Sequence, residues 1–298
     1  MIVGTGNVGA SIAYALINQR TPVNELILTD INAADAEGEV IDLHDALAVS
    51  PSWLKIYAGD YQMAADCDIC VLTAGANQRP GESRTDLLQQ NQQIIHDIVC
   101  GIMAAGFTGI FIVVSNPMDT LSYLTWKYSG LPSTKVIGSG TILDSARLRY
   151  HLAEALGIHP KSIHAYQVGE HGDSEFALWS SANVGGEAIT HLLSPAKLSA
   201  IEDTARHQAY QIIQKKGATY YGIGACVVRL INCILNDERR VLPVSSYDDC
   251  QEVFYGFPAI IGREGVIKRL DLPLTEEEGI KLQQSVNAIK TTIKQVKE

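Results

Sequence analysis

Nowhere in the 298 residues does an apolar run approach the roughly 18 positions that suggest a membrane-spanning helix, so no membrane partner is expected. A basic surplus is missing too. Lysine and arginine number 23 against 33 acids, a net charge of −10, and the basic residues are scattered. Nucleic acid and anionic lipid are poor partners for a broadly acidic surface, although a few arginines in a cleft can still hold a small anion. The six cysteines form no regular framework. Cys67 and Cys70 make one C-x-x-C with no second pair at zinc spacing, and Ile69–Thr73 reads as a buried strand, so the pair is expected in the core and no metal site is expected. A reducing, cytoplasmic setting follows. The first charged residue is Arg20, and Gly4, Gly6, Asn7 and Gly9 interrupt the apolar start, so no secretory leader is expected.

What is present is 46% hydrophobic residue, enough for a large core. Short apolar runs at Met1–Val3, Glu25–Thr29, Lys55–Ala58, Ile69–Thr73, Ile110–Val114 and Lys135–Ile137 alternate with helical spacing at Val8–Ile17, Ala33–Leu47, Leu87–Ala105 and Met118–Tyr128. Such alternation predicts a parallel sheet with helices on both faces. After about Gly138 the pattern changes. A helix over Ile142–Leu156 precedes strand-like Ser162–Val168 and Phe176–Asn183, with a hairpin turn at Val184-Gly185-Gly186. Helices near Leu198–Lys215 and Tyr220–Leu235, strands near Val241–Val244 and Glu252–Ile261, and a final helix over Glu276–Val296 complete the chain. Two closely packed lobes, 1–138 and 139–298, are expected, with a cleft between them.

Gly4-Thr5-Gly6-Asn7-Val8-Gly9 is a G-x-G-x-x-G that follows a strand and opens a helix, and Asp30 closes the next strand. Gly4 permits the turn, Gly6 lets a pyrophosphate approach the backbone, and Gly9 lets helix and sheet pack. Free N–H groups at the start of the helix, around Asn7 and Val8, favour the phosphates. Asp30 suits a ribose diol and repels a 2′-phosphate, which favours NAD over NADP. Only three residues precede Gly4, where a first strand of this kind normally has about five or six, so either the start codon is wrong or the strand is truncated.

The segment Ala74–Arg84 carries glycines, a proline and two arginines at a strand's carboxyl end, where ligands of such sheets bind. Asp144 and Arg147 share a helix face, with Arg149 about 200° around from Arg147. Alone, the first two read most simply as a surface ion pair. His171 stands in the glycine-flanked turn Gly169-Glu170-His171-Gly172-Asp173.

Together these blocks, with Ser115-Asn116-Pro117, Gly138–Arg147 and Lys215-Lys216-Gly217-Ala218-Thr219, closely resemble the L-lactate dehydrogenase branch of the lactate/malate dehydrogenase family over nearly the whole chain. The resemblance implies an α/β protein: a Rossmann-type parallel-sheet domain followed by an α+β substrate-binding domain, commonly a homotetramer. It implies that His171 exchanges a proton with the substrate, that Asp144 orients it, and that Arg147 grips the substrate carboxylate. Arg84 would polarise the reacting carbonyl, Asn116 and Thr219 would line the site, and Thr73, Ala74, Gly75 and Asn116 would lie along the cofactor. Gln78 matches the position facing the group on C2, where malate-specific relatives carry arginine; a neutral amide favours pyruvate over oxaloacetate. Arg149 and His164 match a fructose-1,6-bisphosphate site across a subunit interface, against the plainer reading of an exposed arginine and a strand histidine; both stay open. A branched-chain 2-hydroxy-acid or malate dehydrogenase, or a catalytically silent NAD-binding protein, are the alternatives.

Overall fold

The structure is a computed structural model that describes residues 1–76 and 84–296, with the backbone alone for 84 and 85. Gln78 therefore lies outside the described residues, and so does the side chain of Arg84.

The first half runs β1 (Ile2–Val3), α1 (Asn7–Asn18), β2 (Glu25–Thr29), α2 (Ala33–Val49), β3 (Lys55–Ala58), β4 (Ile69–Leu72), α3 (Arg84–Ala104), β5 (Ile110–Val113), α4 (Met118–Ser129) and β6 (Val136–Gly138). Its six strands are parallel in the order β3-β2-β1-β4-β5-β6. The order reverses between β1 and β4, which opens a crevice at the carboxyl ends of both strands. β1 is short, yet it is centred between β2 and β4 and fully buried.

The second half continues with α5 (Ile142–Leu156), β7 (Ile163–His164), β8 (Gln167–Val168), β9 (Phe176–Ala177), β10 (Asn183–Val184), β11 (Glu187–Ala188), α6 (Ile189–Leu192), α7 (Pro195–Lys216), α8 (Tyr221–Leu235), β12 (Arg240–Asp248), β13 (Val253–Gly262), β14 (Gly265–Arg269) and α9 (Glu276–Lys294). Two features differ from the sequence reading. The run Ser162–Val168 is not one strand: β7 joins β10 and β11, whereas β8 pairs with β9. The antiparallel strands β12, β13 and β14 extend the main sheet to nine strands, with Ser245 beside Gly138 of β6. Nearly all of β13 is buried, because both faces of the sheet are covered there.

One face of the sheet is closed by α1 and α8, through Ile12, Leu16, Val227 and Ile231. The other is closed by α3 and α4, through Ile95, Val99, Ile102 and Leu121. These residues recur at helical spacing, and burying each such side chain stabilises by about 1.5–3 kcal/mol. A third cluster joins α5 to α7 through Leu148, Leu152, Ile201 and Ala205. Helix α9 starts at a reciprocal cap between Thr275 and Glu278 and lays Val286 and Ile289 against Phe176 and Phe257. Both α5 and α9 are thereby held close to the segment that carries His171. Cys70 is in the core as expected, whereas Cys67 is only half-buried.

Candidate active site

The glycine turn is built by contact. Gly4 has φ +95°, and a Cβ there would lie 2.6 Å from the nitrogen of Ala74. A Cβ on Gly9 would fall 1.9 Å from the carbonyl oxygen of Gly4, so α1 can sit this close to β1 only without side chains. Thr73 Oγ1 donates to the carbonyls of Val3, at 3.0 Å, and Gly4, at 2.7 Å, tying β4 to the turn. Gly6 differs from its neighbours: a Cβ there would meet nothing within 4 Å. It caps α1 without a side-chain hydrogen bond, so the first N–H groups of the helix, from Asn7 and Val8 onward, face this open ground.

Asp30 has a structural task besides the one expected of it. Its Oδ2 accepts from the Thr5 N–H at 2.7 Å and from Thr5 Oγ1 at 3.2 Å, and its Oδ1 accepts from the Asn32 N–H at 3.1 Å. The carboxylate therefore clasps the glycine turn while staying half-exposed at the end of β2. Open backbone at Gly6, donor N–H groups beyond it and a carboxylate beside it fit a dinucleotide's pyrophosphate and ribose.

Across the crevice, Asn91 on α3 is buried and stitches two loops. Its Oδ1 accepts from the Ala76 N–H at 2.7 Å and its Nδ2 donates to the carbonyl of Asn116 at 2.8 Å. Gly75, between these loops, packs near the same amide. No motif in the sequence marks Asn91.

On the other side, Asp144 and Arg147 project from α5 into the protein rather than to the surface. Arg147 Nη1 donates to Asp144 Oδ1 at 3.0 Å, and the two side chains are only 6% and 4% exposed. His171 Nδ1 donates to Asp144 Oδ2 at 2.7 Å, with its side chain 29% exposed. The carboxylate is thus sealed while the ring stays accessible, and its Nε2 is the nitrogen left for a reacting group.

Three contacts hold the His171 loop. Gly169, at φ +98°, exchanges both main-chain hydrogen bonds with Gly256 of β13, each at 2.8 Å, and a Cβ on it would strike Ser285 Oγ of α9 at 2.5 Å. That hydroxyl accepts from the Glu170 N–H at 2.6 Å. The His171 N–H itself donates to Asp119 Oδ2 on α4 at 2.8 Å, and Asp119 Oδ1 accepts from Ser245 Oγ on β12. Asp119 and Ser245 both escaped the sequence reading, because their roles exist only through partners far along the chain.

The electrostatics follow from burial. For His171, burial opposes the charged ring, but Asp144 outweighs it, aided by Asp119, and the pKa rises to about 9. Burial pushes Asp144 up, while His171 and Arg147 pull it down harder, so its carboxyl stays below its usual range. Asp119, enclosed on all sides, is raised by burial to about 6 although Ser245 and His171 favour its charged form. Glu175, four residues past His171, is raised well above an ordinary glutamate by burial and by Asp144. It too was missed.

Of the remaining expected residues, Asn116 stands exposed at the end of β5, and Thr219 is half-buried between α7 and α8. Neither shares a hydrogen bond with the Asp144–Arg147–His171 cluster. Arg149 is half-buried near Tyr166 and Cys226, and desolvation lowers its pKa. His164 is exposed on β7.

A sheet of this order, with an open glycine turn at its switch point, puts the chain in the class of doubly wound dinucleotide-binding folds. Residues 1–138 match the family described as lactate/malate dehydrogenase, NAD binding domain, and residues 141–298 match lactate/malate dehydrogenase, alpha/beta C-terminal domain. The chain belongs to the lactate/malate dehydrogenase family. It is 47% identical to an L-lactate dehydrogenase 2 of Bacillus cereus, covering 98% of this chain and 96% of that protein. An L-lactate dehydrogenase 2 of Enterococcus faecalis is 47% identical over 97% of this chain and 94% of its own. Among solved structures, the ligand-bound minor L-lactate dehydrogenase of Enterococcus mundtii superposes with a TM-score of 0.97 at 45% identity, covering 99% of this chain and 97% of that one. Its ligand-unbound form gives 0.92 at 44% identity, covering 100% and 96%.

Proposed function

We propose that this protein is an NAD-dependent L-lactate dehydrogenase that interconverts pyruvate and (S)-lactate. The observation that carries the reading is the buried contact of His171 with Asp144, itself held by Arg147. In this account residues 1–138 hold the cofactor and residues 139–298 carry the proton-transfer and carboxylate-binding groups. NAD is gripped through Gly4, Gly6, Asn7, Val8, Gly9 and Asp30, with Thr73, Ala74, Gly75 and Asn116 along its path. The chemistry that NAD(H) supplies when bound is hydride transfer at C2 of the acid.

Everything else is the work of side chains. Arg147 spends one N–H on Asp144, and the rest of its planar fork pairs with the substrate carboxylate. His171, raised to about 9, is an imidazolium at neutral pH, and its Nε2–H protonates the keto oxygen as charge grows there. Asp144 fixes the ring through Nδ1 and balances its charge. When lactate is oxidised, the same nitrogen accepts the hydroxyl proton. Arg84 steadies the developing oxyanion, Asn116 and Thr219 bound the pocket, and Gln78 leaves room for a methyl group and no countercharge for a second carboxylate.

The proposal extends to a cytoplasmic homotetramer that responds to fructose-1,6-bisphosphate at Arg149 and His164. Among the described residues Arg149 has no acidic partner, and Ile41, Val49 and Trp53 on and after α2 leave large apolar surfaces exposed, as an interface would. The six cysteines are free thiols, which suits a reducing compartment. No helix among the described residues is long and apolar enough to cross a membrane.

The test is NADH oxidation with pyruvate, oxaloacetate and 2-oxoisocaproate, repeated with the bisphosphate. Pyruvate should give the highest kcat/KM, and Gln78→Arg should move preference toward oxaloacetate. Faster turnover of either rival by the parent chain would reject the lactate reading, and an unchanged KM for pyruvate would reject the effector.

A further inference from the structure

His171 and Asp144 do not form an isolated pair. Glu175, only 4% exposed, completes a cluster in which ligand atoms of Asp144, His171 and Glu175 all lie within 4.8 Å of one another. Its carboxyl is within hydrogen-bonding reach of Asp144. The charged groups facing it are Asp144 and Arg147 from α5, His171 from its own loop and Arg206 from α7. Asp119 of α4 accepts from the main-chain N–H of the same histidine.

Two carboxyl groups in contact, both sealed from water, cannot both be charged. One proton must lie between them. Asp144 already accepts from the imidazole at Oδ2 and from the guanidinium at Oδ1, and both partners favour its ionised form. The proton therefore belongs to Glu175.

We propose that Glu175 is a neutral positioning residue whose carboxyl O–H donates to Asp144, making it the third donor on the carboxylate that orients His171. The catalytic meaning of this rests on the reading of His171 as the proton carrier; the protonation of Glu175 does not. Each donor on Asp144 spreads its negative charge and weakens its hold on the imidazolium proton. With two donors only, Asp144 would keep His171 charged to higher pH and make it a poorer acid toward pyruvate. With an ionised Glu175, that effect would be larger still. A neutral donor at this place keeps the histidine acidic enough to give up its proton while leaving the Asp144–Arg147 contact in register.

The experiment compares the full-length parent with Glu175→Gln and Glu175→Leu. His171 is titrated by NMR in the ligand-free protein, the buried carboxyl is followed by infrared spectroscopy, and kcat/KM for pyruvate is measured against pH. Glutamine is also a neutral donor, so E175Q should keep the His171 titration and the alkaline limb of the profile within about 0.3 pH unit of the parent. Leucine cannot donate, so E175L should move both upward by about one unit, tenfold in proton affinity. A protonated-carboxyl band present in the parent at neutral pH should be missing from both variants.

The proposal is overturned if E175Q lowers the His171 titration by about a unit or more, the mark of a lost negative charge. It is equally overturned if the parent lacks the protonated band, or if folded E175L titrates like the parent. Should E175L fail to fold, E175Q and the infrared band decide. Failure of the parent to reduce pyruvate would count against the function alone, since titration and infrared measurements need no substrate.

Discussion

The main-chain N–H of His171 donates to Asp119 Oδ2 at 2.8 Å, which hangs the histidine loop on the helix that follows β5. That helix belongs to the half of the chain carrying the glycine turn, so one hydrogen bond registers His171 against the parallel sheet that carries this turn. Its acceptor is buried, and its pKa of about 6 stands above the ordinary 3.8.

A carboxyl with a raised folded-state pKa stabilises the fold fully below its unfolded value, near 3.8, and that contribution is lost as pH rises through about 6. The loss is on the order of 3 kcal/mol for a shift of this size. Asp119→Asn keeps an oxygen for the His171 N–H and cannot ionise. Thermal melts of the variant should be flatter between pH 4 and pH 6 than those of the parent, whereas parallel curves would show that Asp119 is not the titrating group.

The second and third glycines of the turn, Gly6 and Gly9, should behave in opposite ways. Gly6 has φ −64° and empty space where a Cβ would go, so Gly6→Ala should fold with an unchanged melting temperature. Its methyl group would occupy the ground assigned to the pyrophosphate, and NADH affinity should fall at least about tenfold. In Gly9→Ala the methyl strikes a main-chain oxygen at 1.9 Å, and the fold itself should lose about 3 kcal/mol. Denaturant unfolding and NADH fluorescence titration separate the two effects.

His171 has its folded pKa raised from 6.5 to about 9. The stability it contributes is complete below 6.5 and disappears as pH climbs through 9. Pyruvate reduction, which needs the charged ring, should decline above about pH 9 by tenfold per unit in kcat/KM. Asp144→Asn removes the main support of that charge, so its limb should move to lower pH and its maximal rate should fall about 100-fold or more.

Arg147→Lys keeps the charge and loses the fork. A lysine cannot serve Asp144 and a substrate carboxylate in one plane. The expected change is a kcat/KM for pyruvate reduced about 100- to 1000-fold, mostly through KM. Restoration of binding by added guanidinium would support the geometry, and a near-normal KM would refute it.

The legible parts of this protein were those with local signals. A G-x-G-x-x-G opening a helix, Asp30 at the end of the next strand, and alternating strands and helices were enough to expect the parallel sheet. Asp144 and Arg147, three apart on one helix, were correctly placed on one face, yet spacing alone made them a surface pair; only their burial shows otherwise. Asp119, Ser245, Asn91 and Glu175 left no signal. Asp119 acts through residues 52 and 126 positions away, and no local pattern encodes such a contact. The strands β12–β14 were recognisable as strands, but an apolar run does not say which sheet it joins. Between Ser162 and Asn183 the chain leaves one small sheet after β7 and returns to it at β10, in strands of two residues each, too short for periodicity to register.

The most direct measurement is a single turnover of enzyme-bound NADH with pyruvate, comparing the parent with His171→Asn. The account predicts that the variant binds NADH with unchanged affinity and oxidises it about 1000-fold or more slowly. Undiminished oxidation in the variant would contradict the assignment of His171 as the proton-transfer group.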